Sequence, residues 1–353
     1  MGISRLQIRY CRNLHELELL FGPESNIIWG QNGSGKSSIL EAIYLLCLGR
    51  SFRASVNRSF ITYEQASCTI FGELDSGHSI GLEKSRNGQA RLRINQENQN
   101  SVAAVARLVP LQLMDPASFE LLDGPSILRK QFLHWGLFHV EQSFFVAWQQ
   151  YQRALKQRNQ CLRSQAGESQ LETWTHECQV YGEPLKTYYE QYLRAFMDVF
   201  TPLWQKMAPD LSVTFQLHSG WDSQQTLFEA LQENLTRDRE QFYTHVGPHR
   251  ADIKILDEYG MLRTSFSRGQ KKLLLLAMKL AQGQLLFQQT NKRCLYLIDD
   301  LAAELDEDRR ELVATVLRES EAQVFITAID LGQLEAFRGG NEKLFHVEQG
   351  QVV

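Results

Sequence analysis

The sequence predicts an α/β protein built on a mixed sheet, with a domain of α-helices inserted into it. Three observations carry that expectation. "SNIIWGQNGSGKSS" (Ser25 to Ser38) reads as an apolar strand that enters a glycine-rich loop and then a helix. The last third of the chain alternates strand and helix, the pattern of a parallel sheet. Between them, from Ser126 to Met207, glycine is sparse and glutamine, leucine, tyrosine and arginine dominate.

Taken in order, "RLQIRY" alternates as a strand does, and "SNIIWG" is a short apolar strand ending in glycine. The helix that follows runs from Lys36 to Leu48, with Ile39, Ile43 and Leu46 on one face. "ASCTIFGELD", "HSIGLEKS" and "ARLRINQ" are short strands joined by turns into a meander, and Asn87-Gly88 is a hairpin turn. The stretch from Ser126 to Met207 has helical spacing, broken only near Gly182 and Pro184, and its heptads are too brief for coiled-coil arms. Then come the strands "LSVTFQLHSGW" and "ADIKILDEYG", a helix from Lys271, and the buried strand "RCLYLIDD". A helix over "DEDRRELVATVLRES", a strand over "AQVFITAI" and a final strand over "EKLFHVEQGQVV" complete the chain.

Composition excludes several classes. With 43% hydrophobic and 22% charged residues, the 353-residue chain has ordinary globular usage. No apolar run approaches the roughly 18 residues that span a bilayer. The first residues lack the apolar core of a secretory signal, and Leu6 stands where a myristoylation motif needs Ser or Thr. Six scattered cysteines without a C-x-x-C pair indicate neither a zinc site nor a disulfide framework, but reduced thiols in a cytosolic protein. A net charge of −4 means that any nucleic-acid contact must use local patches.

Gly30-x-x-x-x-Gly35-Lys36-Ser37 satisfies the phosphate-loop pattern in full. Gly30, Gln31, Asn32, Gly33, Ser34, Gly35, Lys36, Ser37 and Ser38 are the expected nucleotide-binding residues. Backbone N–H groups turn inward around an anion there, and the helix adds its positive end. Lys36 is expected to reach the β- and γ-phosphates, and the Ser37 hydroxyl to bind Mg²⁺. Such a loop needs an acidic strand beside it. "CLYLIDD" supplies one, with Asp299 expected to hold Mg²⁺ and Asp300 to orient or deprotonate the attacking water. The catalytic set is therefore Lys36, Asp299 and Asp300.

A second polar tag, Ser267-Arg268-Gly269-Gln270, opens a leucine-rich helix. A hydroxyl and free N–H groups at a helix start can receive an anion; the same serine can equally serve as an N-cap.

The order of phosphate loop, insertion, S-x-G-Q tag and LIDD resembles the ABC-type ATPases. The resemblance implies an ABC-type ATPase head, residues 1–122 and 208–353, interrupted by a helical insertion at 123–207. It also implies that Ser267, Gly269 and Gln270 act in trans, capping the γ-phosphate held by a second subunit. "LAAELD" (Leu301 to Asp306) looks like the loop that crosses the dimer interface in that superfamily, with Ala303 where serine is common. Arg12 and Asn13 follow the first strand where related ATPases contact nucleotide. "ITAID" has no switch histidine, and Thr327 stands near its place. Gln112 is the candidate for the glutamine of the Q-loop.

"NIIWGQNGSGKSSILEAIYLLCLGRSFRAS", "VGPHRADI", "FSRGQKKLLLLAMKLA" and "LYLIDDLAAELD" together resemble one family, the bacterial recombination mediators of RecF type, over essentially the whole chain. Ala251 departs from the acid that many relatives carry after "GPHR". The resemblance implies an ATP-driven homodimer on single- or double-stranded, gapped DNA, with weak DNA-stimulated hydrolysis and Mg²⁺ as the metal. It further implies cytoplasmic work with RecR and RecO that loads RecA at single-stranded gaps and induces the SOS response. The alternative is the ATPase subunit of a membrane transporter, which should show a switch histidine and a different insertion.

For DNA, Arg50, Arg53 and Arg58 lie without an intervening acid, and so do Arg153, Lys156, Arg158 and Arg163. On a helix Arg153, Lys156 and Arg163 share one side, as a phosphate-neutralising stripe or a solvated helix face would. Arg86, Arg91 and Arg93 are a third group. His249 and Arg250 fit contact with DNA or nucleotide, or a bracing role.

Overall fold

In the computed structural model, which describes residues 2–53, 59–260, 265–300 and 305–353, the first nine-residue strand sets the pattern. Ile3–Cys11 (β1) buries Ile3, Leu6, Ile8 and Cys11 and turns its intervening polar residues outward. It pairs antiparallel with Leu14–Leu20 (β2) on one side and Ser67–Leu74 (β4) on the other. Ser79–Ser85 (β5), Ala90–Ile94 (β6) and Glu97–Gln99 (β7) continue the meander, giving a six-stranded antiparallel sheet in the order β2-β1-β4-β5-β6-β7. Gly88 makes the β5–β6 turn at φ +89°.

Ser25–Trp29 (β3) belongs to a second sheet. It lies between Val324–Ala328 (β12) and Lys343–Glu348 (β13), parallel to both. Leu295–Ile298 (β11) and Leu111–Met114 (β8) extend that sheet in parallel, and Gln351–Val352 (β14) closes its other edge antiparallel to β13. The final stretch is thus a hairpin rather than one strand, because Gln349 and Gly350 take φ of +47° and +81°. Lys36–Leu48 (α1) packs against strands of both sheets and is buried all round from Ile39 to Cys47, beyond the single face expected.

The chain divides into two compact units. One comprises residues 1–118 and 272–353, the other residues 119–271. The helical unit therefore includes 208–271, which the expected boundary gave to the sheet domain. The reason is packing: helix Glu168–Met207 lies against strand Thr214–His218 (β9), whose ladder partner is Asp252–Leu256 (β10), and against helix Leu227–Glu233.

Short helices at Ala103–Leu108 (α2) and Glu120–Asp123 (α3) precede Ser126–Val140 (α4), Gln142–Arg163 (α5) and Glu168–Met207 (α6). The break expected at Gly182 and Pro184 does not occur; α6 is one helix of 40 residues with Pro184 and Pro202 inside it. Proline removes a helical donor at a cost of about 3 kcal/mol. The buried row Leu185, Tyr189, Tyr192, Phe196, Phe200 and Leu203 offsets it. Gly182 serves packing: a Cβ there would stand 2.4 Å from Leu227 and 3.1 Å from Tyr151. Leu227–Glu233 (α7) and Leu235–Gln241 (α8) follow, then Arg268–Thr290 (α9) and Glu307–Glu319 (α10).

Candidate nucleotide site

β3 delivers the chain into the loop Gly30–Gly35. Gly30 has φ +148°, and a Cβ there would meet the Val347 carbonyl at 2.2 Å, so no other residue fits. Lys36 Nζ donates to the carbonyls of Gly30 (2.7 Å) and Gln31 (3.0 Å). The loop is braced from outside. Asn13 Nδ2 donates to the carbonyls of Gly33 and Ser34, and its Oδ1 accepts from Ser38 Oγ at 2.8 Å. Gly350 N donates to Ser34 O at 2.7 Å. Ser34 Oγ is buried with no hydrogen-bond partner among the described residues.

A cavity of about 730 Å³ opens over this loop, lined by Asn32, Gly33, Gly35, Lys36, Ser37 and Ser38 together with Arg12, Asn13 and Asp300. Gly30, Gln31 and Ser34 shape the loop without lining the cavity. All four residues of β11 are buried, so Asp299 emerges at the end of a core strand. Ser37 Oγ donates to Asp299 Oδ1 at 2.9 Å, and Thr327 Oγ1 to the same oxygen at 2.8 Å. Burial pushes the Asp299 carboxyl up; the hydrogen bonds from Thr327 and Ser37 oppose that shift, and neighbouring Asp300 adds to it. A hydroxyl and a carboxylate held this close are the oxygen donors that a small hard cation takes, so the residues present fit Mg²⁺. Asp300 holds a left-handed φ of +52°, with its N–H on Thr327 Oγ1 at 2.9 Å. Thr327, expected near the switch position, thus clamps both acids.

Arg12 lies at the cavity in a left-handed backbone (φ +55°) and is already engaged. Its guanidinium binds both carboxylate oxygens of Glu41 at 2.8 Å, and Glu41 is fully buried in α1. Glu41 was not singled out from sequence; an acid in the middle of an otherwise apolar buried helix was the available signal. Arg53, expected to serve DNA, lines the nucleotide cavity, while Arg50 lies by the Tyr44 hydroxyl. Tyr63 and Arg86 also line the cavity and were not expected there as site residues. Gln112 does not line it: the side chain is buried, donates to Gln282 Oε1 at 2.9 Å and accepts from Lys279 Nζ at 2.9 Å. Core polarity, rather than nucleotide sensing, is what that glutamine serves. The six cysteines are all buried and free, and among the described residues no His/Cys/Asp/Glu group of metal-binding type occurs.

In the second unit, α9 begins at Arg268, three residues before the expected start. Ser267 caps it reciprocally: Gln270 N donates to Ser267 Oγ at 3.2 Å, and Ser267 N to Gln270 Oε1 at 2.7 Å. Gly269 sits in the first turn, and Lys271 Nζ pairs with Asp123 at 2.8 Å. Arg153, Lys156 and Arg163 line an open groove of about 660 Å³ on α5 with Gln152, Gln157 and Asn159. Arg158, from the same acid-free run, is fully buried and bonds Asp238, Thr175 and Thr244. His249 braces the unit. Its Nδ1 meets the Tyr151 hydroxyl at 2.7 Å and its Nε2 the Thr244 carbonyl at 3.0 Å, so the proton resides on Nε2. Arg58 and residues 301–304 of the "LAAELD" stretch lie outside the described residues; Asp306 caps α10 through Arg309 N.

A family model described as "RecF/RecN/SMC N terminal domain" matches residues 2–352. The chain is 40% identical to the DNA replication and repair protein RecF of Pseudomonas syringae pv. tomato, covering 100% of this chain and 98% of that protein. It is 39% identical to the RecF of Shigella dysenteriae, covering 100% and 99%. Among solved structures it resembles the "recombination mediator protein RecF-ATPrS in RecFOR pathway" (TM-score 0.84, 25% identity, 99% and 97% covered). An Smc head bound to the C-winged helix domain of ScpA shares the fold at 16% identity (TM-score 0.62, 100% and 97% covered). The fold and the phosphate-loop site define an ABC-type ATPase head of the RecF/RecN/SMC class. Within that class, the chain belongs to the RecF family.

Proposed function

We propose that this chain is an ATP-dependent DNA-binding protein of DNA replication and recombinational repair. The observation that carries the reading is the phosphate loop with Lys36 behind it and the Ser37–Asp299 pair 2.9 Å apart beside it. Gly30 to Ser38 hold the triphosphate, with Lys36 on its terminal phosphates, and Arg12 and Asn13 stand at the same cavity. Ser37 and Asp299 hold Mg²⁺, which when bound neutralises charge on the phosphates. Asp300 orients the attacking water. Its side chain is one carbon shorter than glutamate, which fits slow turnover and a timing role.

In this reading ATP bridges two copies. Ser267, Gly269 and Gln270 of one copy cap the γ-phosphate on the other. The Ser267 hydroxyl accepts a hydrogen bond in its capping box, which leaves its own proton to donate to an anion. Closure brings the α5 groove residues Arg153, Lys156 and Arg163 onto DNA phosphates, with Arg50 as a further contact, and hydrolysis releases the DNA. Its setting is the cytoplasm, at single-stranded gaps with RecR and RecO, where it promotes RecA loading and SOS induction. No helix among the described residues is long and apolar enough to cross a membrane, and no observation favours the transporter subunit.

The trans-capping step has a direct test. Ser267→Arg fills the capping position with a long side chain. In sedimentation velocity the wild type dimerises with ATP and the variant stays monomeric while still binding ATP. A variant that dimerises normally with ATP overturns the bridge.

A further inference from the structure

Residues 59–65 run along the rim of the nucleotide cavity, and their backbone is fixed from two sides. On one side is the end of β1: Arg12 N donates to Phe60 O at 2.7 Å, Thr62 N to Tyr10 O at 3.0 Å, and Thr62 Oγ1 to Arg12 O at 2.8 Å. Cys11 and Ile61 form an antiparallel bridge there, and Phe60 and Ile61 are buried. On the other side is Arg86, just past β5, whose guanidinium donates to the carbonyls of Thr62 (2.8 Å), Ile61 (3.5 Å) and Gln65. Gln65 N closes a tight turn on Thr62 O at 3.1 Å, with Glu64 held at φ +64°. A non-glycine residue in that conformation is maintained only by strong surroundings.

The residue presented by this turn is Tyr63. It is 84% exposed, the most exposed of the large hydrophobic side chains among the described residues, and it lines the cavity that Lys36 and Ser37 line. An exposed tyrosine alone means nothing. Here a rigid, doubly anchored and strained turn holds the ring at the edge of a cavity whose floor is a phosphate loop. A nucleoside triphosphate seated by its phosphates must place its base against some wall of that cavity. Tyr63 is the flat apolar surface on offer, with Ile61 beside it.

We infer that Tyr63 is the platform on which the base of the bound nucleotide stacks, and that Arg86 is the positioning residue that keeps the platform in place. This rests on the nucleotide reading above. Stacking on an aromatic ring accepts any base because every base has a π-face. The ligand class is therefore a nucleoside triphosphate, with little discrimination among bases at this wall.

Equilibrium titration of the full chain with ATP, ADP and inorganic tripolyphosphate separates base from phosphate contacts. Tyr63→Ala is expected to weaken ATP and ADP binding about 5- to 100-fold. Tripolyphosphate binding should stay within about twofold, and Tyr63→Phe, which keeps the ring, should bind ATP like the wild type. Arg86→Ala should produce the same ATP-specific loss, and the double variant no further loss, because both changes remove one contact. Unchanged ATP affinity in Tyr63→Ala, or equal losses for ATP and tripolyphosphate, overturns the inference and leaves the nucleotide reading standing. A wild type that binds none of the three ligands overturns both. Normal ATP binding with no dimer would remove only the trans-capping step.

Discussion

Single residues in the helical unit make its stability depend on pH. Burial lowers His249 to about 4 and His134 to about 3, so both are neutral in the folded unit. Their folded values lie below the unfolded imidazole value, so the unfolded chain binds the protons first. The stability that neutral His249 allows is fully present above pH ~6.5 and is lost as pH falls from ~6.5 towards ~4. For His249 that loss is roughly 3 kcal/mol. Urea unfolding of the chain between pH 7.5 and 4.5 should show it, and His249→Gln should flatten the profile. At this same scale the site was only half legible in the sequence. Gly30 to Ser38 and Asp299-Asp300 were readable because phosphate and cation chemistry needs contiguous residues. Arg12 with Glu41, and Tyr63 with Arg86, were not. Each pair joins segments that are apart in the chain, the end of β1 to the middle of α1 and the turn before β4 to the residue after β5, and only the fold brings them together.

Among the elements, α6 shows where local rules yield to packing. Gly182 and Pro184 both argue against a helix, and they are there for different reasons. Gly182 is required by its neighbours; the 2.4 Å approach to Leu227 makes Gly182→Ala overpacked, at a cost of about 1–3 kcal/mol. Pro184 is tolerated, so Pro184→Ala should restore a donor and raise stability by about 1–3 kcal/mol. Chemical denaturation followed by circular dichroism should therefore give opposite signs for two residues two positions apart. Equal destabilisation would mean that Pro184 is also needed. The other elements follow the same division. β2 went unread although Leu14, Leu17 and Leu19 point inward, because its outward charges masked a seven-residue strand. In the parallel sheet β3, β11 and β12 were readable because buried strands are continuous apolar runs, whereas the four-residue β8 went unread.

For the whole molecule, charge sets how DNA binding should behave. With a net charge of −4, binding must come from a local surface, and the α5 groove supplies three cations from one helix face. Replacing Arg153, Lys156 and Arg163 by glutamine should cut the slope of log affinity against log salt by about 2–3. DNA titrations at two salt concentrations with ATP, ADP and no nucleotide would read this, and an unchanged slope would place the DNA elsewhere. The class of fold was legible at this scale because motif order survives any loop length. The division between the units was not, since it depends on which strands and helices pack on α6.

The strand that feeds the phosphate loop has residues 324–328 on one side and 343–348 on the other, and Gly350 ties down the loop itself. The cradle therefore closes only when segments far apart in the chain have docked on one another, and a substitution that loosens the 343–352 hairpin should weaken anion binding without altering any residue of the loop.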